Sequence, residues 1–211
     1  MNKDNTTKKM DWYSINLGQF KQIEKIQREH PDDSAMQIMK YIYGDDVEYL
    51  PITEYAVRMN ELQFLSEPVP TPALKLEYKI NGTVYALDIT PADLTTAQFI
   101  DSQNYIKDGG DVQNLLSVYL IPKGKRYAED YDIEKVKKDV LSLPIPEVMA
   151  ICSFFQKWLV RYVAIIRRYL NKQLRKGKAD KETLRKVREL MDKAEKNIHG
   201  AFFLTSSPTV E

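Results

Sequence analysis

The chain has one cysteine, Cys152, among 211 residues. That excludes an internal disulfide and any zinc site needing two thiolates, and it fits a reducing compartment. Histidine is almost as scarce. His30 stands beside a turn proline and His199 near a predicted helix end, so both read as surface residues, and nucleophile–base chemistry has little to draw on. The segment Met1 to Met10 lacks the apolar centre of a secretory signal. The apolar run through Ile166 is broken by Gln156, Lys157 and Arg161, which argues against a membrane span. Asp32-Asp33, Asp45-Asp46 and Asp108 to Asp111 lack the spacing of a calcium loop or a paired-carboxylate nuclease site. They read instead as helix caps and turns. Gly124-Lys125 lacks the upstream glycine and downstream hydroxyl of a phosphate-binding loop. The expectation is a protein that is not an enzyme and has no cofactor or metal.

Hydrophobic residues make up 43% and charged residues 29% of the chain, the balance of a folded globular protein. The net charge of +1 conceals a division. Residues 1–147 hold 17 Lys and Arg against 24 Asp and Glu, a balance of −7, whereas residues 148–211 hold 14 against 6, a balance of +8. Such an electrically two-sided chain favours head-to-tail self-association or an acidic partner for its basic end.

Apolar spacing predicts a helix through Leu17, Phe20, Ile23 and Ile26, and a second after Asp33-Ser34 with Ala35, Met36, Ile38, Met39 and Ile42. A third, over about 53–65, is expected to bury Tyr55, Val57, Met59, Leu62 and Leu65. Three prolines in Pro68 to Pro72 mark an extended linker. Asn81-Gly82 then centres a β-hairpin with a type I′ turn. A two-residue loop pairs Ile80 with Thr83, Tyr78 with Tyr85, Leu76 with Leu87 and Leu74 with Ile89, giving one apolar face. Lys79–Val84, Glu77–Ala86 and Lys75–Asp88 form the mixed face. Helical patterns resume through Leu94 to Tyr105, Leu115 to Ile121 and Ile133 to Leu141. A long helix over about 147–176 follows, placing Cys152 as a buried, inert thiol. A charged helix to about Asn197 ends the pattern.

The expected fold is mainly α with one β-hairpin, an α+β chain. Its segments are a tail (1–10), an N-terminal helical unit (11–66), a Pro-rich linker (67–73), the hairpin (74–90), a second helical unit ending in the long basic helix (91–176), a charged C-terminal helix (177–200) and a tail (201–211). A shift of 79 positions superposes Gln19-Phe20 on Gln98-Phe99, Asp32 on Asp111, Met36 on Leu115, Met39 on Val118, Ile42 on Ile121, Val57 on Val136 and Leu62 on Leu141, with six identities. Either two similar three-helix units flank the hairpin, or amphipathic segments resemble one another in general.

Lys157, Arg161, Arg167, Arg168, Lys172, Arg175, Lys176 and Lys178 occur with no acid between Val148 and Ala179. This strip suits nucleic-acid phosphates, anionic lipid or an acidic protein surface. Its ordinary alternative is cover by the acidic remainder of this chain or of another copy. Phe202-Phe203-Leu204 form an apolar group in the C-terminal tail that suits docking.

Tyr78-Lys79-Ile80-Asn81-Gly82-Thr83-Val84-Tyr85, followed by Asp93-Leu94-Thr95-Thr96-Ala97-Gln98-Phe99-Ile100-Asp101, resembles a type of protein found in Bacteroides phages, including crAss-like phages. Tyr119-Leu120-Ile121-Pro122-Lys123-Gly124-Lys125-Arg126-Tyr127 and Tyr131-Asp132-Ile133 continue the likeness, which covers roughly residues 15–165. The resemblance implies a structural or assembly role in a virion, after synthesis in the bacterial cytoplasm. A portal or tail ring, a capsid component, an internal cargo protein and a tail assembly chaperone all fit it. No functional residue carries over. The expected partners are virion proteins, further copies of the chain, or nucleic acid at the basic helix.

Overall fold

The computed structural model describes residues 10–87, 95–107, 111–127 and 131–155, together with Lys157, Arg168, Lys172, Glu182, Arg185 and Glu189. It is mostly helical, with one three-stranded antiparallel sheet among the described residues. The α+β expectation holds. The chain forms two compact units, one from Met1–Pro72, Leu141–Val148 and Thr205–Glu211, the other from Ala73–Val140 and Met149–Leu204.

In the first unit α1 (Leu17–Glu29) opens with a capping box: the Asn16 side chain accepts from the Gln19 N–H at 2.9 Å, and Gln19 Oε1 accepts from the Asn16 N–H at 3.0 Å. Leu17, Phe20, Ile23 and Ile26 recur at helical spacing and are buried. Trp12 closes over them, edge-on to Phe64 with centroids 5.4 Å apart, and its indole N–H donates to the Glu67 carbonyl. The first donors of a helix have no partner within it. Here the distant segment 141–148 supplies them: Leu17 N–H donates to Leu143 O at 2.8 Å and Gly18 N–H to Leu141 O at 2.9 Å. Ile145 N–H donates in turn to Ile15 O, and Leu143, Ile145 and Val148 are buried beside α1. α2 (Ser34–Tyr43) buries Ile38 and Met39.

A 3-10 turn, Asp45–Tyr49, leads to α3 (Ile52–Glu61), and a second, Gln63–Ser66, follows it. Leu62 and Leu65 are buried as expected, but Val57 is 57% exposed and α3 buries no residue at all. The physical reason is position, for Val57 lies about 140–160° round the helix from Leu62, Tyr55 and Met59, its more covered side. Tyr43 Oη donates to Glu61 at 2.8 Å and the Arg58 guanidinium lies 4.7 Å over the Tyr43 ring, so α3 meets α2 through these groups.

In the second unit β1 (Glu77–Ile80) and β2 (Thr83–Leu87) have the expected register, Ile80 against Thr83, Tyr78 against Tyr85, Lys79 against Val84 and Glu77 against Ala86. Asn81 at φ +48° and Gly82 at φ +81° make the turn. Tyr78, Ile80, Tyr85 and Leu87 are buried on one face, while Leu76, just before the strand, is 58% exposed. The pairs Leu74–Ile89 and Lys75–Asp88 run into residues outside the described ones.

α4 (Thr96–Lys107) and α5 (Val112–Tyr119) follow. The helix expected to reach Ile121 stops at Tyr119, because Leu120–Pro122 form β3 against the second edge of β2. Pro122 bars further helix, and the edge pairing satisfies the chain instead. α6 (Ile133–Val140) buries Val136, Asp139 and Val140. A helix, α7, is described over 145–155, with Pro144 and Pro146 at its first turn, and most of the rest of the long helix expected to 176 and of the charged helix after it lies outside the described residues. Phe155 of α7 stacks on Tyr119 of α5, centroids 3.8 Å apart.

The 79-residue shift now has structural content. It carries Asn16 and Gln19 onto Thr95 and Gln98, which form a second capping box: Thr95 N–H donates to Gln98 Oε1 at 2.9 Å and Gln98 N–H to Thr95 Oγ1 at 3.2 Å. α1 falls on α4, α2 on α5 and its continuation into β3, and α3 on α6. Met39 and Val118, both 0% exposed, coincide. Val57 and Val136 do not behave alike, for the second is 1% exposed.

Candidate functional surface

Several of the described ionisable groups form internal pairs. Asp139 on α6 accepts from Asn81 Nδ2 at 3.0 Å, Tyr85 Oη at 2.5 Å and Lys135 Nζ at 2.7 Å. Burial raises a carboxyl pKa, but these three donors together outweigh it and hold Asp139 below the ordinary carboxylate value. Burial, then the bond to Asp139, pushes Tyr85 up to about 12. This cluster fastens the hairpin turn to α6. Tyr127 likewise donates to Asp101 at 2.7 Å, and burial followed by that bond raises its pKa. Gln98, wholly buried, donates to Val118 O. Each of these polar contacts joins two elements of the second unit.

Cys152 is buried on α7, and burial pushes its thiol up to about 12. His30 is exposed at the α1 C-cap, while His199 lies outside the described residues. Asp111 caps α5 through Gln113 N–H, and Asp45 and Asp46 open a 3-10 turn. Among the described residues no group of three or more His, Cys, Asp or Glu stands close enough to hold a metal ion. No described helix is long and apolar enough to cross a membrane.

Of the basic strip, Lys157, Arg168 and Lys172 are helical and exposed. Arg161, Arg167, Arg175, Lys176 and Lys178 lie outside the described residues, as do Phe202, Phe203 and Leu204.

The surface that sequence reasoning missed is on the first unit. Tyr49 is 85% exposed, Ile52 78% and Val57 57%, with Ala56 exposed between the last two. At about 100° per residue Ile52 and Ala56 share one side of α3, whereas Val57 falls on the side of Glu61, one turn before it. Glu61, at 24% side-chain exposure, is better covered than Val57. Thr53, Glu54, Val57, Arg58 and Glu61 line a shallow open depression along it. Asp45, Asp46, Glu48 and Glu54 are exposed nearby, and Lys40 is bonded to Glu48. The result is a surface on which exposed Tyr49, Ile52 and Val57 stand among acidic groups. A signal existed in the sequence: Arg58 and Glu61 fall on the side of the helix opposite Ile52 and Ala56, but sequence does not say which side faces inward.

Comparison with protein-family models, curated proteins and solved structures finds no match to this chain.

Proposed function

We propose that this chain is a non-enzymatic virion structural or assembly protein of a bacteriophage, acting through protein–protein docking. The observation that carries the docking part is the exposure of apolar Tyr49, Ile52 and Val57 on and beside α3, which meets α2 through Arg58 and Glu61. Exposed apolar groups with a polar rim are the usual anatomy of a binding surface. The phage setting comes from the resemblance of residues 15–165. In this reading the protein is made in the host cytoplasm and incorporated into a ring, capsid or cargo layer. Mass spectrometry of purified particles should find it at a stoichiometric level. A strictly monomeric chain absent from particles would replace this role with that of a tail assembly chaperone.

The second reading is a nucleic-acid-binding module, favoured by the exposure of Lys157, Arg168 and Lys172. Under it, a gel shift at low salt should weaken steeply as salt rises, because phosphate contacts release counterions. No retardation at low salt removes it.

A further inference from the structure

We infer that the outer edge of β1 pairs with the same edge of a second copy of this chain, antiparallel about a two-fold axis at Tyr78, so that the two sheets join into one. This deepens the docking reading above, on a surface separate from α3, and names its partner.

The edge is open. The sheet runs β1-β2-β3, so β2 is paired on both sides and β1 on one side only among the described residues. In a hairpin with a two-residue loop the narrow pairs are Ile80–Thr83 and Tyr78–Tyr85. Lys79–Val84 and Glu77–Ala86 are then wide pairs, whose main-chain groups turn away from each other. Val84 displays this directly, for its carbonyl accepts from Lys123 N–H on the β3 side at 2.9 Å. The N–H and C=O groups of Glu77 and Lys79 therefore point the other way, off the edge of the sheet, and both residues are exposed. Such a row is a template for a further strand.

The edge is also complementary to itself. Side-chain faces must match across a ladder, so within Glu77–Ile80 a two-fold pairing centres on a residue and not between two. Centring on Glu77 or on Lys79 sets like charges opposite each other, and centring on Ile80 runs into the Asn81-Gly82 turn. Centring on Tyr78 sets Glu77 against Lys79 of the copy at both ends. Each of these pairs exchanges both main-chain bonds and places opposite charges directly across. A lysine alone guards an edge against a second strand. Glu77, on the same face, turns that guard into half of an ion pair. Glu77 already bonds Lys123 at 2.7 Å with half its side chain exposed, and its two oxygens leave room for a second cation.

An apolar group stands beside the edge. Leu87 N–H donates to Leu76 O at 2.8 Å, so Leu76 continues the ladder on the face of Tyr78 and Ile80. Those two are 3% and 4% exposed, whereas Leu76 is 58% exposed. The cover of this face stops short of it. In the Tyr78-centred register Leu76 lies opposite Ile80 of the copy, and pairing covers it. Because each copy offers the same edge, the contact is isologous and closes as a dimer.

The test uses the full chain and the variants Glu77→Lys, Lys79→Glu and the two combined, each checked for native circular dichroism. Sedimentation equilibrium of the wild type should show dimers that grow with concentration. Each single variant should dimerise about tenfold more weakly, because like charges then face each other at both ends. The two shift the net charge in opposite directions, so a general charge effect would not weaken both. The combined variant keeps the net charge and exchanges the partners, and it should recover most of the wild-type affinity. A monomeric wild type, a single variant that dimerises like the wild type, or a combined variant as weak as the single ones overturns the inference. The virion reading is decided separately: a chain found in particles yet monomeric alone keeps that reading and loses this contact. A chain absent from particles that still dimerises and responds to the variants as described keeps the contact and loses the virion.

Discussion

Asp139 accepts from Asn81, Tyr85 and Lys135 while nearly buried, so removing its charge leaves donors without a full partner. Asp139→Asn should lower stability by about 2 kcal/mol in urea unfolding at neutral pH, and Tyr85→Phe by about 1 kcal/mol. The pH dependence has a definite sign. A carboxyl whose folded pKa is depressed stabilises the fold above its unfolded pKa, here 3.8, and that contribution fades as pH falls through the folded value. The stability gap between wild type and Asp139→Asn should therefore be full at pH 7 and shrink below about pH 4. Tyr85 acts at the other end. Its raised pKa stabilises the fold below pH 10, and this is lost as pH rises toward about 12. Cys152 should resist thiol reagents until the chain unfolds, because burial both hides the sulfur and disfavours its thiolate. A native chain that reacts at the unfolded rate would contradict its position on α7. Of these residues the sequence marks Cys152 as buried, through its apolar neighbours. It does not mark Asp139, whose three donors stand 4, 54 and 58 positions away.

Secondary structure was most legible where one local rule acts alone. Asn81-Gly82 requires positive φ, so turn, register and buried face of the hairpin follow together. Gly82→Ala should cost about 1 kcal/mol from backbone strain, as nothing near the added Cβ obstructs it. Gly18, by contrast, is helical, and an added Cβ meets only ordinary contacts at 3.4 Å and beyond. Gly18→Ala should raise the melting temperature, by a gain of about 0.5 kcal/mol. β3 was not legible. Its three residues continue an apolar helical pattern, and only the open edge of β2 makes them a strand. α3 shows a different limit. Its helix was legible, but Val57 was grouped with Tyr55, Met59 and Leu62, whereas it falls beside Glu61 and is exposed.

At the scale of the whole chain, the opposed balances of −7 and +8 are plain in the sequence and govern behaviour in solution. Sedimentation in low salt should show more association than in high salt, since screening shortens the reach of such charges. The 79-residue correspondence was visible as six identities, and capping boxes at Asn16–Gln19 and Thr95–Gln98 stand at matching places in it. Which face each copy buries was not visible, because that depends on what packs there.

The segment 141–148, which bonds Leu17 and Gly18 and fills the core beside α1, also sets an order of events at the ribosome. The N-terminal helices emerge first but cannot be completed until more than half of the remaining chain has been synthesised. Residues 1–72 made alone should give no cooperative thermal transition, and adding a peptide of residues 141–148 should restore part of it. What is translated earliest is finished late, and the nascent chain must be kept from misassociation during that interval.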